Sequence, residues 1–208
     1  MLLLVTGSSC SGKSTIARVI GGSLTNVVAH DSDEHGVPSN ADTAWRQADL
    51  RQWVLQAREL ERRGVDLLLT GQSPIGELLA VPEADELDLA VCLVDVGDRT
   101  RAQRLEHRDP GQWSAEAKDR FNNWARWHRL HADDPAHLPD VITTNATAGM
   151  QWDRWRGWTR DEPRRAVTRI DTTGRTVSES AQALRTWVEH TRASCADDSL
   201  PLLRGWSS

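Results

Sequence analysis

The feature that constrains this chain most is its first fifteen residues, MLLLVTGSSCSGKST. An apolar run, Met1 to Val5, leads into Gly7-Ser8-Ser9-Cys10-Ser11-Gly12-Lys13-Ser14, and Thr15 to Ile20 continues with an amphipathic pattern. The spelling is G-x-x-x-x-G-K-[ST], a phosphate-binding loop set between a strand and a helix. Gly7 and Gly12 let the backbone turn tightly and approach an anion without a Cβ in the way. The amides of Ser8, Ser9, Cys10 and Ser11, and those opening the helix as far as Thr15, form a nest for phosphate oxygens, to which the helix adds its positive end. Lys13 is placed to reach the β- and γ-phosphates, and the Ser14 hydroxyl to ligate magnesium. The pattern implies that the chain binds a nucleoside triphosphate.

Length and charge limit what surrounds this loop. A chain of 208 residues suits one α/β domain with a small inserted lid. The formal net charge of −5 gives no bulk electrostatic case for a nucleic acid or an anionic membrane as partner. No apolar run approaches the roughly 20 residues of a membrane span. Because strand and loop start at the first residue, no signal peptide is expected ahead of them. Cys10, Cys92 and Cys195 are scattered without metal-ligand spacing, which points to a reduced, cytoplasmic protein. Lys13 and Lys118 are the only lysines, so the loop keeps a lysine where arginine serves elsewhere.

Strands alternate with helices along the chain, the pattern of a parallel sheet wound on both faces. Strands are expected at residues 2–6, 27–30, 65–70, 87–96 and 167–171. Helices are expected at 13–22, 42–63, 75–80, 99–107, 114–131 and 177–192. The stretch from about 108 to 135 breaks the alternation and reads as a helical lid insertion. Between 136 and 166 periodicity fails; Val141-Ile142 suggests a small strand, and Trp152, Trp155 and Trp158 fit one face of a short helix. The expected fold is thus a three-layer α/β/α P-loop domain over residues 1–193, with five parallel strands. Residues 194–208 are expected to be a loosely ordered tail.

Carboxylates follow the second strand as Asp31-Ser32-Asp33-Glu34, at the carboxyl end where open α/β sheets bind ligands. Arg104-Leu105-Glu106-His107-Arg108 precedes the lid, and Ile170-Asp171-Thr172-Thr173-Gly174 closes the last strand. Together with the loop, these elements resemble, over residues 1–190, the P-loop small-molecule kinases: shikimate, gluconate and adenylate kinases and chloramphenicol phosphotransferase. The resemblance implies ATP and Mg²⁺ as the nucleotide and metal, with Asp31 on the metal and Asp33 accepting the proton of an attacking hydroxyl. It implies Arg104 over the adenine, Gly174 and Arg175 in the adenine-side loop, and Arg108 on the transferring phosphate. A guanidinium fork suits both arginine tasks. Arg104 and Arg108 share a helix face; Arg99 and Arg101 are expected in solvent.

The acceptor site is expected between the acidic loop, Gly71-Gln72-Ser73-Pro74 and the lid. Trp45, Trp124 and Arg126 join Asp33, Gly71 and Gln72 as its candidate residues. Indole walls suit a sugar, an aminocyclitol, a nucleoside or another flat ring. The acceptor's identity is not legible, and nor is the oligomeric state. The sequence supports a phosphotransferase acting on a hydroxyl or amine of a small metabolite or antibiotic-like compound. Two alternatives remain open. One is a kinase of nucleic-acid ends. The other is a nucleotide-switched ATPase with a protein partner, which requires Asp95 on the metal and an exposed apolar patch near residues 152–158.

Overall fold

The structure, a computed structural model, describes residues 1–207. Its strands are β1 (Leu2–Thr6), β2 (Val27–Asp31), β3 (Asp66–Gly71), β4 (Leu89–Asp95) and β5 (Val167–Asp171). They form one sheet in the order β2-β3-β1-β4-β5, every neighbouring pair parallel. The helices are α1 (Lys13–Gly21), α2 (Thr43–Glu61), α3 (Ile75–Ala80), α4 (Asp98–Arg108), α5 (Ala115–Asp133), α6 (Asp140–Thr143), α7 (Asp153–Arg156) and α8 (Val177–Ala196).

β1 holds the centre, with Leu4 opposite Leu69 on one side and Val91 on the other. All five of its residues are buried. A parallel strand covered on both faces has no solvent side, which is why β1 reads as an unbroken apolar run. Alternate side chains go to opposite layers. Leu3 and Val5 pack with Ile16 and Ile20 of α1 and with Leu184 and Val188 of α8. Leu2 and Leu4 pack with Leu50, Trp53 and Val54 of α2 and with Leu78 of α3. This is the three-layer α/β/α architecture with the five parallel strands that the sequence predicts.

Caps fix where the long helices start. Asp42 accepts the Trp45 amide at 2.8 Å ahead of α2, and Ser114 accepts the Ala117 amide ahead of α5. Thr176 and Glu179 exchange bonds in a capping box ahead of α8.

Three local expectations need correction. Val141-Ile142 lies in the helical turn α6, not in a strand; Pro139 turns the chain, and Ile142 fills the core beside Gly76. The three tryptophans do not share a helix face, because α7 has only four residues. Trp155 is a core residue whose indole donates to the Gly76 carbonyl at 2.8 Å, and Trp152 and Trp158 pack partly buried around it, so no exposed apolar patch forms there. The tail is packed: α8 runs to Ala196, Leu202 pairs antiparallel with Leu89, and Leu200 and Trp206 are buried. Helix α5 packs inward through Ala125, Trp127, His128 and His131, all buried. Among the described residues no helix is long and apolar enough to cross a membrane.

Candidate active site

The phosphate loop leaves β1 at the carboxyl edge of the sheet. Gly7 has φ +150°, and a Cβ there would lie 2.1 Å from the Val94 carbonyl oxygen, so only glycine lets the loop cross β4. Gly12 takes φ +99° immediately before α1, as the turn into the helix requires. Cys10 also sits in the left-handed region, at φ +59°. The Ser11 hydroxyl is buried without a protein partner among the described residues, a polar group at the heart of a cradle shaped for an anion. Burial holds the Lys13 ammonium below the ordinary lysine range, against the opposing pull of Asp31 and Asp33.

Asp31 ends β2 and caps the turn of 3₁₀ helix Ser32–His35. One of its oxygens accepts the Asp33 amide at 3.1 Å and the other accepts the Thr70 hydroxyl at 2.7 Å. The Glu34 carboxylate returns to the Asp31 amide at 2.9 Å. Burial raises the Asp31 carboxyl, but hydrogen bonds from Ser14, Thr70 and the Asp33 amide outweigh it and hold the group below the usual range. Asp33 shifts the other way. Burial raises it first and the neighbouring Asp31 charge second, with Lys13 only partly offsetting them. Two adjacent carboxylates are thus pushed apart in acidity, the division expected of a charge-holding group and a proton-accepting one.

Arg104 straps the loop from above. Its guanidinium donates to the carbonyls of Cys10 and Ser11, to the Thr172 hydroxyl at 2.9 Å and to the Thr172 carbonyl at 3.1 Å. Thr172 in turn donates to the Ser11 carbonyl at 2.8 Å. The carbonyl of Phe121, in α5, accepts the Ser8 hydroxyl at 2.9 Å, tying that helix to the loop.

Arg101 is the correction of most consequence. Expected in solvent, it is fully buried. It donates to the Ser9 carbonyl at 2.9 Å, the Asp95 carboxylate at 2.7 Å and the Val96 carbonyl at 2.9 Å. Its spacing from buried Leu105, four residues on, is the signal that places it inward. Arg129 takes the second Asp95 oxygen at 2.5 Å. Asp95 is therefore engaged by two arginines, not free for a metal.

Two cavities meet at this edge. The larger, about 440 Å³, is lined by the loop with Lys13 and Ser14, and by Asp31, Arg104, Arg108 and Arg175. The smaller, about 180 Å³, is walled by Trp45, Trp53 and Trp124. Asp33, Gly71 and Gln72 line both. Thr15 lines the larger cavity, whereas Gly174 supplies only a φ +69° turn beside it. Arg108 is half exposed and paired with Asp109 at 2.8 Å. Arg126 lines neither cavity; it is exposed, 3.8 Å from Asp98. Sequence reasoning gave no role to the hydroxyl of Thr70, which the β2–β3 register sets beside Asp31, or to that of Thr172, and missed the buried Glu77, which accepts from Arg46 and Gln47.

No family model and no curated protein matches the sequence. The fold does match solved structures. A sugar kinase from Janibacter sp. superposes with a TM-score of 0.57 at 14% identity, over 92% of this chain and 96% of its own. An uncharacterized protein from Eubacterium ventriosum gives 0.51 at 9% identity, over 91% and 98%. A thymidylate kinase from Candida albicans gives 0.50 at 12% identity, over 92% of each chain. The resemblance to P-loop small-molecule kinases holds, at these identities, as a likeness of fold.

Proposed function

We propose that this chain transfers the γ-phosphate of ATP to a hydroxyl of a small acceptor. The observation that carries the reading is the junction of the two cavities. One side offers a phosphate cradle with Lys13; the other is an indole-walled recess; Asp33 lines both.

In this reading the loop amides, Lys13 and the turn into α1 hold the triphosphate. Arg104 and Arg175 flank the nucleotide at the β5–α8 side. The Ser14 hydroxyl and the Asp31 carboxylate both line the cradle's cavity. An oxygen-only pair beside phosphate oxygens suits a hard cation, so these two residues would hold Mg²⁺. Bound there, magnesium supplies neutralisation of the charge on the phosphates. The acceptor sits in the smaller cavity with its hydroxyl toward Asp33. Its oxygen forms a bond to the γ-phosphorus as the bond from that phosphorus to the β–γ bridging oxygen breaks. The hydroxyl proton passes to Asp33, and ADP departs. The raised acidity range of Asp33 makes it the better proton acceptor of the two carboxylates. Arg108 leaves Asp109 to meet the transferring phosphoryl group as the α4–α5 loop and the first turns of α5 close and exclude water. The free cysteines suit a cytoplasmic setting.

The reading as a regulatory ATPase is weakened by the arginines on Asp95 and by the burial of Trp155. The test is transfer of labelled γ-phosphate from ATP to a broad panel of hydroxyl and amino compounds. Product that depends on Lys13 and Asp33 supports the reading; ATP consumption with phosphate going only to water contradicts it.

A further inference from the structure

The smaller cavity has a charge as well as a shape. Besides Asp33, two carboxylates line it, Asp42 and Asp49. The Asp49 side chain is only 9% exposed. One of its oxygens meets His35 Nδ1 at 2.6 Å, and the other accepts no hydrogen bond among the described residues. Asp42 likewise spends one oxygen on the Trp45 amide and keeps the other open. Arg46 is the lone lysine or arginine of the lining, and it is neutralised from behind: Glu77, fully buried, takes its Nε at 3.0 Å and its terminal nitrogen at 2.6 Å. The one guanidinium of the lining is thus matched by Glu77, while Asp33, Asp42 and Asp49 leave the balance of the cavity negative and two carboxylate oxygens open to a cationic acceptor. Trp45 agrees, because an indole face attracts the C–H face of a saturated ring and also an ammonium group, whereas Trp124 already stacks on Trp127 at 5.0 Å and has the Arg46 guanidinium 5.1 Å from its ring centre, so it serves as a wall. At about 180 Å³ the space is smaller than the roughly 300–1,000 Å³ of drug-sized sites, so it holds one ring.

We propose that the acceptor is a single-ring polyol carrying a protonated amine, its ring against Trp45, its ammonium on Asp49 and Asp42, and a hydroxyl directed at Asp33. The proposal rests on the phosphotransfer reading above and adds the substrate class. An amine held protonated by two carboxylates has no lone pair for attack, so the phosphate goes to oxygen. The product is a phosphate ester, stable to mild acid, and not an acid-labile phosphoramidate.

The experiment offers the full chain labelled ATP and a metabolite extract separated by ion exchange into cationic, neutral and anionic pools, with glucosamine, glucose and glucuronate as defined single-ring probes. The expected result is acid-stable labelled product from the cationic pool. Asp49→Asn and Asp42→Asn should each raise the acceptor KM about tenfold while the ATP KM changes less than about twofold, the loss expected of one hydrogen bond to a charged group. Urea midpoints matching the parent show that the variants fold. Label from the anionic or neutral pool, an acid-labile product, or an acceptor KM unmoved in both variants overturns the proposal and leaves phosphotransfer intact. Label in no pool overturns the phosphotransfer reading itself.

Discussion

Replacing Arg101 with methionine tests how the phosphate loop is held. Methionine keeps much of the aliphatic stem and removes the guanidinium. Three bonds go at once: to the Ser9 carbonyl, to Asp95 and to the Val96 carbonyl. Removing one partner of a buried ion pair costs about 3–5 kcal/mol, because the other charge stays behind. Asp95 is 19% exposed and keeps Arg129, so the lower end applies, about 3 kcal/mol. For a chain of this size that corresponds to roughly 6–12 °C in Tm. The assay is urea and thermal unfolding of Arg101→Met beside Arg129→Met, with ATP affinity measured on both. Arg129 is about one third exposed, and losing it leaves Arg101 on Asp95, so its variant should lose no more than about 1 kcal/mol. Of these two variants only Arg101→Met should also weaken ATP binding, since Arg101 touches the loop backbone and Arg129 does not. A loss below about 1 kcal/mol with unchanged ATP affinity would refute the view that Arg101 shapes the loop.

Three further outcomes are expected. Gly7→Ala puts a Cβ against the Val94 carbonyl and should abolish nucleotide binding and lower the melting temperature, read by circular dichroism and ATP titration; an alanine variant that binds ATP normally contradicts the close approach. Asp33 has its folded acidity range raised, so its protonated form is favoured on folding; that contribution is complete below the ordinary carboxylate range and is lost as pH rises through the raised value. Asp33→Asn should therefore be at least as stable as the parent at pH 7 while losing transfer, and a variant that is clearly less stable speaks against the assignment. Burial holds the His131 imidazole down to about 3 and the His128 imidazole well below its usual range. Both are neutral when folded and gain protons when unfolded, so stability present above pH 6.5 should fall on acidification by about 1.4 kcal/mol per pH unit for each histidine. Urea titrations between pH 7 and 5 check this, with His131→Gln expected to flatten the slope.

What was legible in the sequence was what local spacing dictates. Gly7, Gly12, Lys13 and Ser14 lie within eight residues, and their demands on the backbone are met inside that segment. Asp31 and Asp33 were legible because they follow an apolar strand, and parallel sheets collect strand ends at one edge. Arg101 was not, because its partners Ser9 and Asp95 come from two other segments that only the packed sheet brings together. Leu105 on the same face was a weak pointer that the run of arginines around it obscured. The tryptophans divided for the same reason. Trp45 and Trp155 look alike as letters, but one lines a cavity and the other fills the gap above Gly76. Residues 136–166 defied reading because four-residue helices carry less than two turns of periodicity. The smaller cavity draws its walls from the turn after β2, from α2, from the Gly71–Ser73 loop and from α5, so no single stretch could announce its charge.

The most direct test of the account is transfer of labelled γ-phosphate from ATP to small acceptors by the parent chain, Lys13→Ala, Asp33→Asn and Asp95→Asn. The account expects labelled product from the parent, little or none from the Lys13 and Asp33 variants, and transfer retained, on a less stable protein, by Asp95→Asn. Transfer that survives loss of Asp33 but fails with Asp95→Asn would contradict it.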